Sequence, residues 1–333
     1  MPELTAETIW NLNQKQITTL LNSGIFTQKP KNIRFYAPSF IYCKTKYYCS
    51  SSTDFPTVSV TGTSCTLNCK HCGGKVLQTM HPVLSPRELF ELCVQLKRDG
   101  AKGCLISGGC SPDGSVPLDS FMPTIGKVKQ ELGLTVFVHT GIINSKIAVA
   151  LKTVGVDAAL IDIVGSDKTI QKTLNLSVKP KDYLESLQAL DEAGLNFVPH
   201  VIVGLNEGKL DGELEALKMI NQVKPSAIVI IAFMPIHGTA MAKTNPPIST
   251  DIAKIIVLAR LMFPETPLLL GCMRPKGPSR GETDILALKA GVDGIAFPSE
   301  EVIKYAEKKG LGFSFSSCCC AQIYMDAVEK AKH

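Results

Sequence analysis

Between residues 57 and 297, eight short runs of apolar and β-branched residues alternate with stretches of helical periodicity. Glycines such as Gly100, Gly133 and Gly155 end most of the helical stretches just before the next run, as glycine does in the left-handed conformation after a helix. Strands that alternate with helices predict right-handed βαβ units and a parallel sheet. Eight units in about 240 residues predict an α/β fold of the (β/α)8 TIM-barrel type, although a doubly wound open sheet shares this local pattern.

The predicted strands are Thr57–Thr61, Gly103–Ser107, Leu134–His139, Ala158–Val164, Asn196–Val203, Ala227–Ala232, Pro267–Gly271 and Gly294–Phe297. The predicted helices between them lie near residues 85–99, 118–132, 144–154, 180–193, 210–223, 249–263 and 281–290. Two extensions flank the predicted barrel, which takes residues 57–308. Residues 1–56 carry a helix from Thr5 to about Leu21 and then a cysteine-bearing loop, and residues 309–333 form a tail with three consecutive cysteines.

Charge and hydropathy exclude several classes of protein. The formal net charge of +5 is small for 333 residues and the lysines are scattered, so no nucleic-acid-binding surface is predicted. Met1-Pro2-Glu3-Leu4 begins no apolar leader, and no run approaches the roughly 18 apolar residues of a membrane helix. We therefore expect a cytoplasmic protein that does not enter membranes. In such a protein, twelve cysteines indicate metal binding or catalysis rather than disulfides.

The tightest cysteine spacing directly follows the first predicted strand. Cys65, Cys69 and Cys72 have the pattern C-x3-C-x2-C, and two glycines come next. Thiolates hold iron–sulfur clusters, and a four-iron cluster with three protein ligands keeps one iron open. A structural zinc site with His81 as its fourth ligand is the alternative, but zinc motifs usually offer a second C-x2-C pair, which this sequence lacks.

In a barrel of parallel strands, chemistry gathers at the carboxyl ends of the strands. Small or polar residues stand at those ends in this sequence, although turn glycines and ordinary strand-end polar residues would look the same. They are Ser107, Gly108 and Gly109 after the second strand, His139 at the third, Asp162 at the fourth, His200, Gly204 and Glu207 at the fifth, and Met234, Pro235 and His237 after the sixth.

The cysteine loop, with His71 before its last cysteine, resembles the signature of radical S-adenosylmethionine (SAM) enzymes. The resemblance covers roughly residues 57–297 and implies that the three cysteines hold a 4Fe–4S cluster whose open iron is chelated by SAM. It also implies the SAM contacts His71, Ser107, Gly108, Gly109, His139, Asp162, Gly204, Glu207, Met234 and Pro235. Among these, the Ser107 segment would meet the methionyl amino group and Asp162 the ribose. Cys110 and His200 depart from the family pattern, which has an acidic residue and a glycine there.

The remaining cysteines distinguish two sulfur-inserting relatives. The biotin synthase pattern implies cysteines where this chain has Phe137 and Val198, and an arginine where it has Leu268-Leu269-Leu270. The lipoyl synthase pattern, with cysteines before the barrel and a serine-bearing tail, resembles this chain more. It implies an auxiliary 4Fe–4S cluster with ligands among Cys43, Cys49, Cys318, Cys319 and Cys320. In an extended tail Cys318 and Cys320 would point to the same side. Ordinary buried thiols are the alternative.

The cysteine layout, together with the segment Gly271-Cys272-Met273-Arg274-Pro275, most resembles a subunit of the two-protein, archaeal-type lipoyl synthases. That resemblance implies a sulfurtransferase that inserts sulfur into unactivated C–H bonds of a protein-bound octanoyl chain. The implied partners are an octanoylated lipoyl carrier protein or peptide, a low-potential electron donor and a sister radical SAM subunit. A biotin-synthase-like enzyme for another small molecule is the first alternative. A non-catalytic iron–sulfur carrier is the second.

Overall fold

The computed structural model describes residues 4–26, 32–39 and 42–330, with side chains described as far as residue 326 in the last helix. Met1-Pro2-Glu3, on which the argument against a leader rests, lies outside the described residues. Among the described helices, none is long and apolar enough to cross a membrane.

The described strands are β1 (Ile33–Tyr36), β2 (Thr57–Ser59), β3 (His81–Pro82), β4 (Gly103–Ser107), β5 (Thr135–His139), β6 (Ala158–Ile163), β7 (Phe197–Val203), β8 (Ile228–Ala232), β9 (Leu268–Leu270), β10 (Gly294–Ala296) and β11 (Phe313–Ser316). The α-helices are α1 (Ala6–Trp10), α2 (Gln14–Asn22), α3 (Pro86–Arg98), α4 (Met122–Lys127), α5 (Ser145–Thr153), α6 (Asp167–Thr173), α7 (Pro180–Glu192), α8 (Glu213–Ile220), α9 (Ser249–Met262), α10 (Ser279–Lys289), α11 (Glu300–Lys308) and α12 (Ile323–Lys330). Short 3-10 helices lie at Lys75–Thr79, Asp119–Phe121 and Cys320–Gln322, and a π-helical turn lies at Val128–Leu132.

All eight predicted strands are present, and they lie side by side in the order β10-β9-β8-β7-β6-β5-β4-β2. Every pair in the eleven-stranded sheet of the described residues is parallel. The order never reverses as it does at the switch point of a doubly wound sheet. The predicted α/β fold of parallel strands is confirmed, as a curled parallel sheet whose edge strands in the described part are β11 and β3.

Both extensions contribute to this sheet. β1, from the N-terminal extension, pairs with β10 on one side and with β11, from the tail, on the other. The single N-terminal helix predicted from Thr5 to Leu21 is wrong, because two helices, α1 and α2, lie there. Asn13 caps α2 with a reciprocal pair of hydrogen bonds to Gln16, and such a capping box starts a new helix.

Two apolar clusters lie on opposite faces of the sheet. The larger is packed between the strands and the surrounding helices. The smaller lies inside the curl and includes Tyr36, Phe55, Phe137, Leu160, Val198, Val229 and Leu269 together with Cys318, Cys320 and Ile323 from the tail. We call it the inner cluster.

The tail closes the curl near the amino ends of the strands. The Tyr324 hydroxyl donates to the carbonyl of Asp157, just before β6, at 2.7 Å. Lys102, just before β4, donates to Ser317 Oγ at 2.9 Å and to Asp54 at 3.0 Å. These contacts leave the carboxyl ends of the strands as the open mouth of the curl.

Candidate functional site

The loop that carries Cys65, Cys69 and Cys72, called here the cysteine loop, follows the carboxyl end of β2. It folds back on itself because the amides of Cys72 and Gly73 donate to the carbonyl of Cys69, at 3.2 and 2.7 Å. The ligand atoms of Cys69, His71 and Cys72 lie within 4.8 Å of one another. All three cysteines are free thiols, with Cys69 buried and the other two half-buried.

Within this loop the pKa values of Cys69 and Cys72 are shifted in opposite directions. The hydrogen bond from Cys69, assisted by His71, lowers the pKa of Cys72 to about 4 against the opposing effect of burial. The same hydrogen bond, together with burial, raises the pKa of Cys69 well above its usual range. Cys72 is therefore a thiolate at neutral pH, and the thiolate is the form that binds metals.

The surroundings of the loop fit a metal cluster. His71 Nδ1 is buried and has no hydrogen-bond partner among the described residues, as expected where a further group belongs. A Cβ on Gly109 would lie 2.0 Å from the Ser64 carbonyl oxygen and 2.7 Å from Cys65 Cα, so only glycine lets β4 approach this closely. His81, the fourth ligand of the alternative zinc site, is exposed on β3 and lies outside the group formed by Cys69, His71 and Cys72.

The segment after β4, which carries the predicted SAM contacts Ser107, Gly108 and Gly109, reaches the cysteine loop. The amide of Gly109 donates to Thr61 Oγ1 at 2.7 Å, and a Cβ on Gly108 would lie 3.1–3.2 Å from Val60 and Thr61. The carbonyl of the next residue, Cys110, accepts from the Thr66 amide at 3.0 Å. Burial, and then the charge of Cys65, raise the pKa of the Cys110 thiol to about 12.

Neighbouring strands bring His139, Asp162 and His200 together. Their ligand atoms lie within 4.8 Å of one another, and His139 Nε2 is 3.6 Å from Asp162 Oδ1. The Val198 carbonyl can only accept, so His200 Nδ1, 3.0 Å away, carries a proton and its Nε2 keeps a lone pair. Burial lowers the pKa of His200 to about 4. Sequence reasoning favoured an ordinary strand-end role for His200. The structure instead places it in a polar cluster with His139 and Asp162, two of the residues predicted to contact SAM.

That cluster has a defined charge pattern. Burial alone would lower the pKa of His139, but the charge of Asp162 outweighs it and the net direction is upward. Burial alone would raise the pKa of Asp162, but the nearby imidazoles of His139, His200 and His71 lower it below its usual value. Asp162 is therefore an ionised acceptor beside the cysteine loop, suited to binding hydroxyl groups or a cation.

The segments after β7 and β8 complete the mouth. Gly204 has φ +73° and is in close contact with Pro247, whereas Glu207 is exposed at φ +52°. The buried acid here is Glu213, whose carboxylate accepts from the amides of Gly204 at 2.8 Å and Asp211 at 2.7 Å. Sequence reasoning missed Glu213 because it stands beyond the motif, in the first turn of α8.

Met234 and Pro235 are half-buried after β8. Their segment continues to Met241, whose amide donates to the carbonyl of Lys70 at 3.2 Å. A Cβ on Gly73 would lie 3.8 Å from Thr239 Cγ2. The segment after the sixth predicted strand therefore reaches the cysteine loop.

The predicted ligands of an auxiliary cluster lie in two surroundings. Cys43 and Cys319 are half-buried against the inner cluster, and Cys318 and Cys320 belong to it. Cys49 is exposed, and its thiol lies 3.7 Å from both the Tyr42 hydroxyl and the Ser50 carbonyl. The extended tail expected at Cys318 and Cys320 is wrong, because a 3-10 helix begins at Cys320 and the Cys320 thiol contacts Cys319.

One further thiol joins them. Cys272 follows the end of β9 and is half-buried against the same inner cluster. We call Cys43, Cys272, Cys319 and Cys320 the wall thiols. Sequence reasoning used the segment around Cys272 for the family resemblance but did not name Cys272 as a cluster ligand, because the other wall thiols lie more than 40 residues away in the chain.

Comparisons with known proteins agree with this geometry. Residues 59–219 match the model of the Radical SAM superfamily. The chain is 28% identical over 254 residues to a biotin synthase of Neorickettsia sennetsu, covering 72% of this chain and 74% of that protein. It is 25% identical over 276 residues to a biotin synthase of Legionella pneumophila, covering 80% and 85%. The solved structure of methylornithine synthase (PylB) superposes with a TM-score of 0.61 at 15% identity, covering 93% of each chain, and shows the same fold.

Proposed function

We propose that this chain is a radical SAM sulfurtransferase of lipoyl synthesis. The family match over residues 59–219 and the geometry of the cysteine loop support the radical SAM part of this proposal. Its substrate in this proposal is an octanoyl chain carried on a lipoyl carrier protein or peptide. A low-potential electron donor and a sister radical SAM subunit are its proposed partners.

In this proposal, different residues at the open mouth of the curl bind the cluster and SAM. Cys65, Cys69 and Cys72 would hold the 4Fe–4S cluster, and the glycines after β4 let the chain come close to it. A cluster held there would supply one-electron reducing chemistry toward SAM, with the low-potential donor as the source of the electron. Asp162, ionised beside His139, accepts hydrogen bonds from ribose hydroxyls.

The observation that carries the sulfurtransferase proposal is a second group of thiols inside the curl, separate from the cysteine loop. The wall thiols pack against the inner cluster, whereas the cysteine loop lies at the end of β2. Enzymes that insert sulfur need a sulfur donor as well as a radical source, and thiols can hold a second iron–sulfur cluster in that role. Half-buried Leu105, Ile202 and Met273, which also pack on the inner cluster, offer an apolar surface suited to an alkyl chain.

A biotin-synthase-like reaction on another small molecule is the second candidate, and the named relatives favour it. The side chains of the inner cluster favour a position for a second iron–sulfur cluster that differs from the one in the biotin synthase pattern. Phe137, Val198 and Leu269 stand where the biotin synthase pattern has its cluster ligands, and all three are buried in the inner cluster. Apolar side chains therefore fill that position.

The test is a single-turnover assay with the anaerobically reconstituted and reduced full chain, SAM and an octanoyl-lysine peptide. We expect 5′-deoxyadenosine and a peptide that has gained sulfur at an octanoyl carbon, with neither product from Cys69→Ala. In a parallel assay with dethiobiotin in place of the peptide, sulfur insertion into dethiobiotin but not into the octanoyl peptide would establish the biotin-like alternative. Absence of 5′-deoxyadenosine from the loaded, reduced protein would instead support a non-catalytic iron–sulfur carrier.

A further inference from the structure

The wall thiols come from three separate parts of the chain. Cys43 stands in a hairpin closed by paired hydrogen bonds with Ser50: the Cys43 amide donates to Ser50 Oγ, and the Ser50 amide donates to the Cys43 carbonyl, both at 2.8 Å. Cys272 lies beyond the carboxyl end of β9, and Cys319 directly precedes the 3-10 helix of the tail. All three are half-buried against one apolar cluster, so the fold collects them on one wall.

The thiols on this wall also interact electrostatically. The Cys320 thiol donates a hydrogen bond to Cys319. Cys272 interacts with both tail thiols, Cys319 and Cys320. Cys272 therefore lies within electrostatic range of the tail thiols, in agreement with their shared packing.

Two arginines give this wall an excess of positive charge. Arg274 is fully buried, and Arg280 is only 16% exposed. Both pair with one carboxylate, Asp284, at 2.9 and 3.6 Å, and both donate to the carbonyl of Phe297. Two buried guanidinium groups on one carboxylate leave a net charge that a neighbouring anion would balance. A cluster held by thiolates carries negative charge of that kind.

Cys43 has a further partner that suits a ligand. The Tyr48 hydroxyl lies 3.3 Å from Cys43 Sγ, and the Tyr48 ring packs on Phe315 of β11 with centroids 4.9 Å apart. The ring is thereby fixed so that its hydroxyl can donate to a Cys43 thiolate. Hydrogen bonds of this type orient the ligands of metal sites and tune them.

We propose that Cys272, together with Cys43 and Cys319, holds a second iron–sulfur cluster against the inner wall of the sheet, with Cys320 as the fourth thiol. Cys49 and Cys318 are then not ligands. Cys49 is exposed on its hairpin, and the Cys318 thiol lies near Ser316 and Lys102. The use of this cluster as a sulfur donor rests on the proposed function, but the identity of its ligands does not.

The test counts iron and sulfide in the full chain with the first cluster removed. In the variant Cys65→Ala/Cys69→Ala/Cys72→Ala, reconstituted anaerobically, we expect about four irons per chain and the visible absorption of a cubane cluster. Adding Cys272→Ala should remove most of this iron. Adding Cys49→Ala or Cys318→Ala, the matched controls, should leave it unchanged. Full iron in the Cys272→Ala background, or no iron in the triple variant itself, would overturn the inference.

A second measurement needs no substitution at Cys272. In the wild-type protein with its iron bound, Cys272 should resist alkylation by iodoacetamide, and it should react after the iron is chelated. Equal labelling in both states would contradict the proposal even if the Cys272 variant failed to fold. Neither measurement involves an octanoyl substrate or SAM cleavage. Iron held through Cys272 without any sulfur insertion would therefore refute the proposed function and leave this inference standing.

Discussion

The cysteine loop and the wall thiols are two thiol sites built in opposite ways. The loop draws its three cysteines from eight consecutive residues, 65–72, and backbone hydrogen bonds to the Cys69 carbonyl shape it locally. The wall thiols come from residues 43, 272 and 319–320 and meet only because the sheet curls and the tail folds beneath it. Cysteines that are close in the chain form a spacing pattern that can be recognised in the sequence. Cysteines that only the fold brings together form no such pattern.

The two sites also differ in how thiolate charge is stabilised. At the cysteine loop, a neighbouring thiol and His71 lower the pKa of Cys72. At the wall, the nearby positive charge comes from Arg274 and Arg280, whose guanidinium groups stay protonated in proteins. The wall therefore carries positive charge that does not depend on pH in the physiological range, and it places two buried cations in the fold.

The largest expected effect follows from those cations. Arg274→Met would leave Asp284 buried without its closest partner, and breaking a buried ion pair on one side costs about 3–5 kcal/mol. We expect the urea midpoint of the metal-free protein to fall accordingly. Arg87→Met, which breaks an exposed pair with Glu91 on α3, is the matched control and should cost less than about 0.5 kcal/mol. Similar urea midpoints for both variants would show that the Arg274–Asp284 ion pair does not contribute to the stability of the metal-free fold.

The cysteine loop should respond through geometry instead of stability. Gly109→Ala would push a methyl group toward the Ser64 carbonyl and the backbone of Cys65, so the loop must shift. A displacement of about 1 Å at a reacting centre can cost about 10²-fold in rate. We expect 5′-deoxyadenosine formation to fall by that order while the thermal unfolding temperature changes little.

Gly126→Ala on α4 is the control for that variant, because its new methyl would meet only Val154 at ordinary contact distance, 3.4 Å. It should retain full SAM cleavage. Undiminished cleavage by Gly109→Ala would mean that the close approach of β4 to the cysteine loop has no role in binding SAM.

Much of the fold and one of the two sites could be predicted from sequence, for identifiable reasons. Periodicity and glycine stops located all eight barrel strands, because each strand is encoded within its own few residues. The division of the N-terminal helix at Asn13 was missed, since a cap was read as part of a continuous apolar pattern. β11 and its pairing with β1 were also missed, because that pairing joins residues 280 positions apart.

The same distinction applies to individual site residues. Gly109 could be found because it directly follows a strand beside a recognised motif. The packing of Cys272 against the inner cluster and the burial of Glu213 could not, since both depend on contacts made by the folded chain. Glu207 occupies the motif position, yet it is exposed, and the buried acid lies six residues later.

Glu213 supplies the smallest and most specific prediction. Burial raises its pKa from 4.5 to about 7 despite hydrogen bonds from the amides of Gly204 and Asp211. An acid whose pKa is raised in the folded state binds more protons there than in the unfolded chain. Its contribution to stability is therefore full below pH 4.5 and is lost as the pH rises through 7.

We expect the unfolding free energy to fall by about 1–3 kcal/mol between pH 5 and pH 8 on account of this group. Glu213→Gln removes the titration, so the difference between variant and wild type should change with pH in that window. Glu215, two residues further along α8, is exposed to solvent. For Glu215→Gln, the plot of unfolding free energy against pH should run parallel to that of the wild type. A pH-independent difference for Glu213→Gln would mean that the Glu213 carboxylate is already ionised at pH 5. In that case the hydrogen bonds from the Gly204 and Asp211 amides outweigh the effect of burial, and the loop after β7 is bound to an ionised carboxylate and not to a neutral carboxyl group.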